Sequence, residues 1–536
     1  MSQSANPIEL DALIVGAGFS GLYQLHMLRN LRGLSVRVVE AGDSVGGTWY
    51  WNRYPGARCD SESHAYCYTF SPELTEEWDW SERYPGPEEI LRYLNHVADR
   101  FELRPWLDLN RTVQSARFDE TGHRWLVNCD DGNCYSARFL ITAVGCLSTA
   151  NIPAIEGLGD FSGRWYHTGQ WPRNGVDLSG YRVAQVGTGS TGIQAAPVIA
   201  EAAAHLTVFQ RTANYSVPAR NCALTDEVRQ QQKADAAVIQ QVMHSNTNGH
   251  PWTINPQNAL DTAADERHTI YEQSWATGGL KFRSVFADLL IDSKANDTAA
   301  TFIRNKIREV VKDPTTADSL SNIDHPYGAK RPPIDTNYFE TFNRDNVELV
   351  DLKKTPIVRI DSNGIQTSAG HHAVDIIVFA TGFDAMTGSL LRMDIQGRQQ
   401  TLADAWAAGP ANYLGLQVAG FPNLFTITGP GSPSVLSNMP VSIEQHVEWI
   451  TECIDYVLET GNTCIECTDE AMAGWVQHVN DVANATLLPT VKHSWYLGAN
   501  VPGKPQVFMP YAGGLDRYRQ ACNEVAENDY EGFTLS

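Results

Sequence analysis

The chain has 536 residues, of which 43% are hydrophobic and 19% are charged. This composition excludes an intrinsically disordered chain, and the absence of periodic glycine or proline runs excludes collagen-like and low-complexity classes. Its 62 acidic and 40 basic residues give a formal net charge of −22, which disfavours nucleic acid and anionic membrane surfaces as partners.

The N-terminal stretch MSQSANPIELDALIVGAG has no basic region before its apolar residues, and no run of 18 apolar residues follows it. We therefore expect neither a signal peptide nor a membrane span. The ten cysteines include one CxxC, at Cys464 and Cys467, without a second pair at zinc-site spacing. We expect no metal site and a reduced, cytoplasmic compartment.

Two stretches have the pattern of a strand, a helix and a second strand. The predicted elements are strand 11–16, helix 20–31 and strand 35–40, and then strand 182–187, helix 191–203 and strand 206–211. Each is the start of a doubly wound unit. The predicted fold is therefore α/β, with two Rossmann-like dinucleotide-binding domains.

The rest of the chain completes these two domains and adds a helical insertion. The polar, alanine-rich part lacks strand alternation and contains a predicted helix over 298–312, whereas strands return at 347–351 and 374–381, and a helix is predicted over 440–459. The predicted boundaries are 1–150 and 385–536 for the first domain, 151–220 and 333–384 for the second, and 221–332 for the insertion.

The sequence GAGFSG supplies Gly16, Gly18 and Gly21 between the first strand and its helix, with Phe19 inside the motif. These glycines allow a tight turn, close approach of a pyrophosphate and close helix packing. Glu40 ends the next strand, where a carboxylate can bind a ribose 2′-hydroxyl. FAD fits this site because its adenosine ribose has a free 2′-hydroxyl.

The sequence GTGSTG repeats this arrangement with Gly187, Gly189 and Gly192. Arg211 stands at the position that corresponds to Glu40, and a guanidinium binds a 2′-phosphate that a carboxylate would repel. The second site is therefore predicted to bind NADPH in preference to NADH. We assign the remaining contacts there to Thr188, Ser190, Thr191 and Gln210. Two such sites indicate hydride transfer from NADPH to FAD. The spacing of the motif residues does not distinguish a reductase from an oxygenase.

Six further motifs span nearly the whole chain. They are GGTWYWNRYPGARCD (46–60), FSGRWYHTGQWP (161–172), AKRP (329–332), FATGFD (379–384), GPGSPS (429–434) and SWYLGANVPGKP (494–505). Together they resemble the signatures of type I Baeyer–Villiger monooxygenases, the cyclohexanone and phenylacetone monooxygenase-like flavoproteins. The related N-oxygenating flavoproteins usually lack the Trp–Pro ending of the second motif.

The resemblance implies that NADPH reduces FAD and that O2 then forms a C4a-peroxyflavin, which inserts one oxygen beside a ketone carbonyl to give an ester or lactone. By the same resemblance, Arg331 is the catalytic cation that stabilises the peroxide and the tetrahedral adduct. Pro332 biases the backbone of Arg331 toward an extended conformation. Asp60 is then the catalytic carboxylate that orients the guanidinium.

The resemblance also implies the remaining cofactor contacts. For FAD they are Gly47, Thr48, Trp49, Tyr50, Trp51, Arg58, Asp60, Tyr66, Val113 and Met439. Lys330 and Arg331 are expected near NADPH, and Trp495 is expected on a mobile loop that folds over the nicotinamide cofactor. His167 is expected to have a structural or hinge role, and Val435 and Leu436 to border the ketone.

Other functions remain open at this stage. A flavin-dependent N- or S-oxygenase would use the same cofactors, and a dinucleotide-binding sensor would have lost the chemistry. A disulfide reductase is disfavoured because Cys59 and Cys67 are eight residues apart, without a tight redox pair. The expected partners are a small-molecule ketone and O2, and the expected state is a monomer or weak oligomer.

Overall fold

The computed structural model of the chain describes residues 6–536. The first five residues, on which part of the signal-peptide prediction depends, lie outside the described residues. Within the described part of the chain, no helix is both long enough and apolar enough to cross a membrane.

The first sheet has eight strands drawn from distant parts of the chain. Seven follow one another in the order Asp394–Gln396, Val113–Asp119, Arg124–Cys129, Cys134–Thr142, Ile8–Val15, Val36–Glu40 and Leu107–Leu109, and Leu424–Thr426 also pairs with Cys134–Thr142. The central pairs are parallel, and Leu13 and Ile14 are fully buried. This burial fits a parallel sheet that is covered on both faces.

The second sheet has five strands, all parallel. Their order is Val347–Asp351, His205–Gln210, Arg182–Val186, Ile376–Phe379 and Arg164–His167. Each sheet therefore contains one of the two predicted strand–helix–strand starts at its centre, which confirms the predicted α/β class with two Rossmann-like units.

Smaller sheets and the helices surround these units. The small sheets pair Val217–Pro218 with Ile334–Asp335, Ile465–Cys467 with Phe533–Leu535, and Ile357–Asp361 with Gly364–Thr367 and His371–Ala373. The α-helices are Phe19–Leu25, Thr48–Trp51, Pro72–Glu77, Pro87–Arg100, Ser190–Ala202, Asp226–Ala234, Ala236–Ser245, Ala264–Thr277, Ser293–Val310, Pro314–Ser321, Tyr338–Thr341, Gly388–Leu391, Leu402–Ala405, Met439–Glu459, Asp469–Asn484 and Leu515–Glu527. The 3₁₀ turns are Ser63–Ala65, Arg104–Trp106, Leu158–Asp160, Thr168–Gln170, Leu280–Ser284, Ser434–Leu436, Leu488–Thr490 and Trp495–Leu497.

The first predicted helix differs from the structure in its second half. It is an α-helix over Phe19–Leu25 and a π-helix over His26–Leu31. The wider π-turn shifts the side-chain register, so that Leu28 is buried but Leu31 is 55% exposed. Helical spacing of leucines alone does not reveal such a change.

The segment 221–332, predicted as an insertion, contains five α-helices, and the longest of them begins earlier than predicted. The helix runs over Ser293–Val310 because the Asp292 side chain accepts hydrogen bonds from the backbone N–H groups of Lys294 and Ala295. Its apolar face, with Ile303 and Ile307 fully buried, packs into the same core as the second sheet. This core holds the insertion against the nucleotide-binding unit.

Candidate active site

The first glycine turn has no room for a side chain. A Cβ on Gly21 would lie 1.8 Å from the Gly16 oxygen, and a Cβ on Gly47 would lie 2.8 Å from the Gly18 Cα. Gly16 and Gly47 also have positive φ angles, of 106° and 52°. The signature at 46–60 therefore begins directly against the first dinucleotide motif, which places both where one cofactor could contact them.

Glu40 lies at the carboxyl end of its strand, buried beside this turn. Its carboxylate accepts hydrogen bonds from the backbone N–H groups of Ala17 (2.8 Å) and Gly42 (2.7 Å). Burial raises the pKa of Glu40, and these hydrogen bonds oppose that rise. Each oxygen keeps lone pairs that can accept from a ribose hydroxyl, so this carboxylate fits the adenosine ribose of FAD.

The second glycine turn repeats the close contacts but has one open position. A Cβ on Gly192 would lie 2.2 Å from the Gly187 oxygen, whereas a Cβ on Gly189 would meet nothing within 4 Å. Gly189 is also the N-cap of Ser190–Ala202, and no side chain caps that helix. Its first N–H groups, among them those of Ser190 and Thr191, are available to a pyrophosphate.

Two cations lie near each other at the end of the strand that follows this turn. Arg211 is exposed, and Lys330 is partly buried. Burial lowers the pKa of Lys330, and the charge of Arg211 contributes to the lowering, although Asp324 opposes it. Gln210 and Thr188 instead donate to the backbone oxygens of Ser319 and Thr212. A pair of adjacent cations fits the 2′-phosphate of NADPH.

Arg331 and Asp60 meet across 271 residues of chain. The Nε and one Nη of Arg331 donate to the two carboxylate oxygens of Asp60, at 2.6 and 2.7 Å, and the other Nη donates to the Val435 backbone oxygen at 2.7 Å. This bidentate pair fixes the plane of the guanidinium. A guanidinium has five N–H donors, so two remain for a ligand.

The pair stays ionised although it is largely removed from solvent. Burial raises the pKa of Asp60, but Arg331 outweighs burial and holds that pKa below its ordinary value. Burial likewise lowers the pKa of Arg331, and Asp60 more than reverses this. The neighbouring His250 ring stacks on Trp252, and burial with the charge of Arg331 lowers the pKa of His250 to about 3. His250 is therefore neutral.

Aromatic side chains of the 46–60 signature lie close to the first glycine turn, together with Phe19 and Tyr66. Phe19 packs edge-on against Tyr66, with ring centroids 5.4 Å apart, and the Trp49 Nε1 donates to the Tyr66 hydroxyl at 3.3 Å. Tyr50 donates to Asp43 at 3.0 Å, and Trp51 is 40% exposed. These residues lie together, as expected for contacts to one flavin.

The other residues that we expect to contact the cofactor lie in several different elements. Thr48 opens the short helix Thr48–Trp51, and Val113 is buried at the start of its strand. Met439 begins the long helix Met439–Glu459. Its side chain packs against the apolar core of the first sheet and against the apolar cluster that includes Trp495. Arg58 makes an ion pair with Glu82 at 2.8 Å.

The segment 494–505 binds the loop that follows the strand Ile376–Phe379 of the second sheet. The Lys504 ammonium binds Asp384 at 2.5 Å, and the Asn500 amide donates to the Phe383 oxygen at 2.8 Å. Trp495 lies half-buried at the start of this segment, 4.5 Å from the Tyr496 ring. Tyr496 of this segment lies near Arg331, whose charge opposes the rise that burial causes in the Tyr496 pKa, so the segment connects the second unit with the region around Arg331.

His167 is buried at the end of a strand in the second sheet. Its Nδ1 accepts from the Gly169 N–H at 3.0 Å, and its ring meets Phe383 edge-on. Burial lowers the pKa of His167 to about 4, so it is neutral near pH 7. This geometry supports the structural role that we expect for His167 in the motif at 161–172.

Sequence reasoning missed two groups beside Arg331. His250 and Arg283 come from the helical part of the chain and lie near the Arg331–Asp60 pair, whose charges shift the pKa of both. No motif contains them, and no periodicity marks them, because the fold alone brings the insertion to this place.

Comparison with known proteins decides the family. A family model described as "Pyridine nucleotide-disulphide oxidoreductase" matches residues 13–281. A Baeyer–Villiger monooxygenase of Pseudooceanicola batsensis is 43% identical over 97% of this chain and 95% of the relative. This chain belongs to the Baeyer–Villiger monooxygenase family.

Further comparisons extend this result. The phenazine N-monooxygenase PhzNO1 of Lysobacter antibioticus is 42% identical over 98% of this chain and 97% of that protein. A solved structure of oxidised steroid monooxygenase bound to NADP has a TM-score of 0.94 and 52% identity, covering 98% of this chain and 99% of its own. OTEMO in complex with FAD and NADP has a TM-score of 0.94 and 40% identity, covering 98% and 99%.

Membership of this Baeyer–Villiger monooxygenase family confirms the resemblance seen in the motifs. The disulfide reductase alternative has no support in the site, since Cys59 and Cys67 are both free and buried. Burial raises the pKa of the Cys67 thiol to about 12, and that of Cys59 also rises, so neither forms a reactive thiolate.

Proposed function

We propose that this Baeyer–Villiger monooxygenase uses NADPH, FAD and O2 to convert a ketone into an ester or lactone. The observation that carries the proposal is the bidentate Arg331–Asp60 pair, which is also fixed by the Val435 backbone. Bound FAD, once reduced by NADPH, supplies the activated oxygen that is transferred. The steroid monooxygenase and OTEMO structures, which contain NADP or FAD with NADP, support both cofactors.

The chain's own residues would hold and separate the two cofactors. The turn at Gly16–Gly21 and the Glu40 carboxylate would bind FAD, with Phe19, Trp49, Tyr50 and Tyr66 on its flavin side. The open position at Gly189 and the uncapped helix Ser190–Ala202 would bind the NADPH pyrophosphate. Arg211 and Lys330 would bind its 2′-phosphate.

Arg331 would stabilise negative charge that develops on oxygen during the transfer. Two of its N–H groups are free for this, and its charge is permanent. Asp60 would hold the direction of the guanidinium and moderate its charge. The half-buried Trp495 segment would exclude water.

The deciding test is product identification. The purified protein should be yellow and should consume NADPH with a ketone in air, and mass spectrometry should identify the ester or lactone. A panel of aliphatic, cyclic, aryl and steroid ketones would also reveal the preferred ketone class. NADPH consumption with hydrogen peroxide as the only oxygen product would contradict the proposal.

A second candidate function is N- or S-oxygenation. The observation that favours it is the 42% identity to a phenazine N-monooxygenase over nearly the whole chain. A thioether and a nitrogen heteroaromatic in the same panel separate the two, because only ketone oxidation needs a nucleophilic oxygen beside a fixed cation. We propose ketone oxidation as the main reaction on the strength of the Arg331–Asp60 pair.

The cellular setting also remains a proposal. All ten cysteines are unpaired, which supports a reduced, cytoplasmic compartment. A monomer or weak oligomer stays a prediction, and size-exclusion chromatography with light scattering tests it.

A further inference from the structure

Arg283 lies on the short turn Leu280–Ser284 of the helical insertion. The residues on either side of it, Phe282 and Ser284, are buried, whereas Arg283 itself is partly buried. Phe282 packs edge-on against Tyr327, with centroids 5.7 Å apart, which fixes the direction of the turn. This packing holds the backbone of the turn in place at Arg283.

Arg283 is close to the Arg331–Asp60 pair. Burial lowers the pKa of Arg283, and the charge of Arg331 lowers it further, while Tyr496, Tyr327 and Asp60 oppose this. Both oxygens of Asp60 already accept from Arg331. The cluster therefore has two guanidinium groups and one carboxylate, a local excess of positive charge in a chain of net charge −22.

This second cation has no direct partner among the described residues. Over residues 6–536, Arg283 makes no hydrogen bond, ion pair or cation–π contact, and the other ionisable groups around it are phenols. Burial raises the pKa of the Tyr327 and Tyr496 hydroxyls, so they stay neutral. A partly buried charge without a partner is costly, and a bound anion removes that cost.

We propose that Arg283 binds an anionic group of the substrate, so that this enzyme prefers ketones that also carry a carboxylate. The inference rests on the proposed function, because Arg331 would hold the reacting oxygen while Arg283 holds the carboxylate. The two cations then orient a keto acid at both ends. An uncharged ketone of the same shape gains only one of these contacts.

The test uses the holoenzyme with a series of straight-chain methyl-ketone acids of increasing length and their methyl esters. We would measure kcat/KM for each pair with the wild type, Arg283→Gln, Arg283→Lys and the matched control Lys281→Gln. Lys281 is exposed on the same turn. Hexanoate, which cannot be oxidised at a ketone, is tested as a competitive inhibitor.

The wild type should favour the acid over its ester, and Arg283→Gln should reduce this ratio about 10- to 100-fold, as expected for a charge-assisted hydrogen bond. Arg283→Lys should keep part of the preference, and Lys281→Gln all of it. Hexanoate should inhibit the wild type and lose that effect in Arg283→Gln.

Three results would overturn the inference. An unchanged acid-to-ester ratio in Arg283→Gln would do so while leaving ketone oxidation intact. A rise in the KM for NADPH with equal losses for acid and ester would assign Arg283 to a cofactor phosphate instead. Oxidation of neither acid nor ester by the yellow wild type would contradict the proposed function itself.

Discussion

At the scale of single residues, the chemistry depends on where a few charges are fixed. Arg331 is not a free cation, since three of its five N–H donors already bind Asp60 and Val435. The remaining two, one on each Nη atom, are the donors that are left to bind an oxygen anion. The geometry therefore selects the position of the reacting oxygen as well as its charge.

Arg331→Ala should abolish ester formation while NADPH still reduces the flavin. Loss of a fixed donor to a developing oxyanion lowers rates by about 10²- to 10³-fold, and here the charge is lost as well. Stopped-flow flavin absorbance measures the reduction, and mass spectrometry measures the ester. Arg331→Lys is the control, because it keeps the charge but not the bidentate contact; ester formation by Arg331→Ala at the wild-type rate would contradict this role.

Arg211→Ala should raise the KM for NADPH about 10-fold or more and change the KM for NADH little. The reason is that only NADPH has a 2′-phosphate for the guanidinium to bind. Steady-state kinetics with both cofactors measure the difference. Arg392→Ala, which removes another exposed arginine, should affect neither, and equal changes for both cofactors would remove the assignment.

At the scale of elements, the two glycine turns combine packing with binding at different positions. Gly192 supports the helix against its strand, whereas Gly189 faces open space. Two glycines that are three residues apart in one motif thus serve different purposes. A pair of alanine substitutions can separate them.

Gly192→Ala should lower the melting temperature, because its Cβ would lie 2.2 Å from the Gly187 oxygen. Gly189→Ala should leave the melting temperature near that of the wild type but weaken NADPH binding, since its methyl group enters the space for the pyrophosphate. Differential scanning fluorimetry and NADPH titration measure the two effects. Equal losses of stability in both variants would show that the open position is structural.

The sequence predicted the elements well where the pattern was local. Both strand–helix–strand starts were found within a few residues, because continuous apolar strands and glycine turns are read from neighbouring positions. The π-helix over His26–Leu31 and the early start at Ser293 were missed, since one depends on backbone hydrogen bonding and the other on the Asp292 cap.

The candidate site was predictable only in part, for a physical reason. The motifs identified Arg331 and Asp60 separately, but their contact spans 271 residues and depends on the tertiary fold. His250 and Arg283 carry no motif, and the Val435 backbone oxygen has no sequence signal. The roles of the site residues and the domain boundaries therefore stay predictions.

At the scale of the whole molecule, a buried ionisable group connects two segments that are far apart in the sequence. Glu444 on the helix Met439–Glu459 accepts from the backbone N–H groups of Thr69 (2.6 Å) and Phe70 (3.2 Å), and it also contacts the Thr69 hydroxyl. Burial raises the pKa of Glu444 from 4.5 to about 7, although the hydrogen bonds oppose this. The folded protein thus holds a proton that the unfolded chain has lost.

Between pH 4.5 and 7 this group makes the free energy of unfolding fall as the pH rises, because the folded state binds more protons than the unfolded state. Glu444→Gln should flatten that fall and raise stability at pH 8 by about 3 kcal/mol, the equivalent of the shift. Urea unfolding at several pH values measures it. Glu452→Gln, on the exposed face of the same helix, should keep the wild-type pH profile; an unchanged profile in Glu444→Gln would contradict the assignment.

The strand Leu424–Thr426 joins the first sheet beside Cys134–Thr142, and the Thr142 hydroxyl binds the Phe425 oxygen across 283 residues. During synthesis, the ribosome therefore releases the entire second sheet before the first can be completed. Until then, the N-terminal sheet of the nascent chain has an unpaired edge. Chaperones protect such edges, and an exposed edge aggregates when translation stalls. A chain that is truncated after the strand Ile376–Phe379, and therefore lacks Leu424–Thr426, should consequently be insoluble.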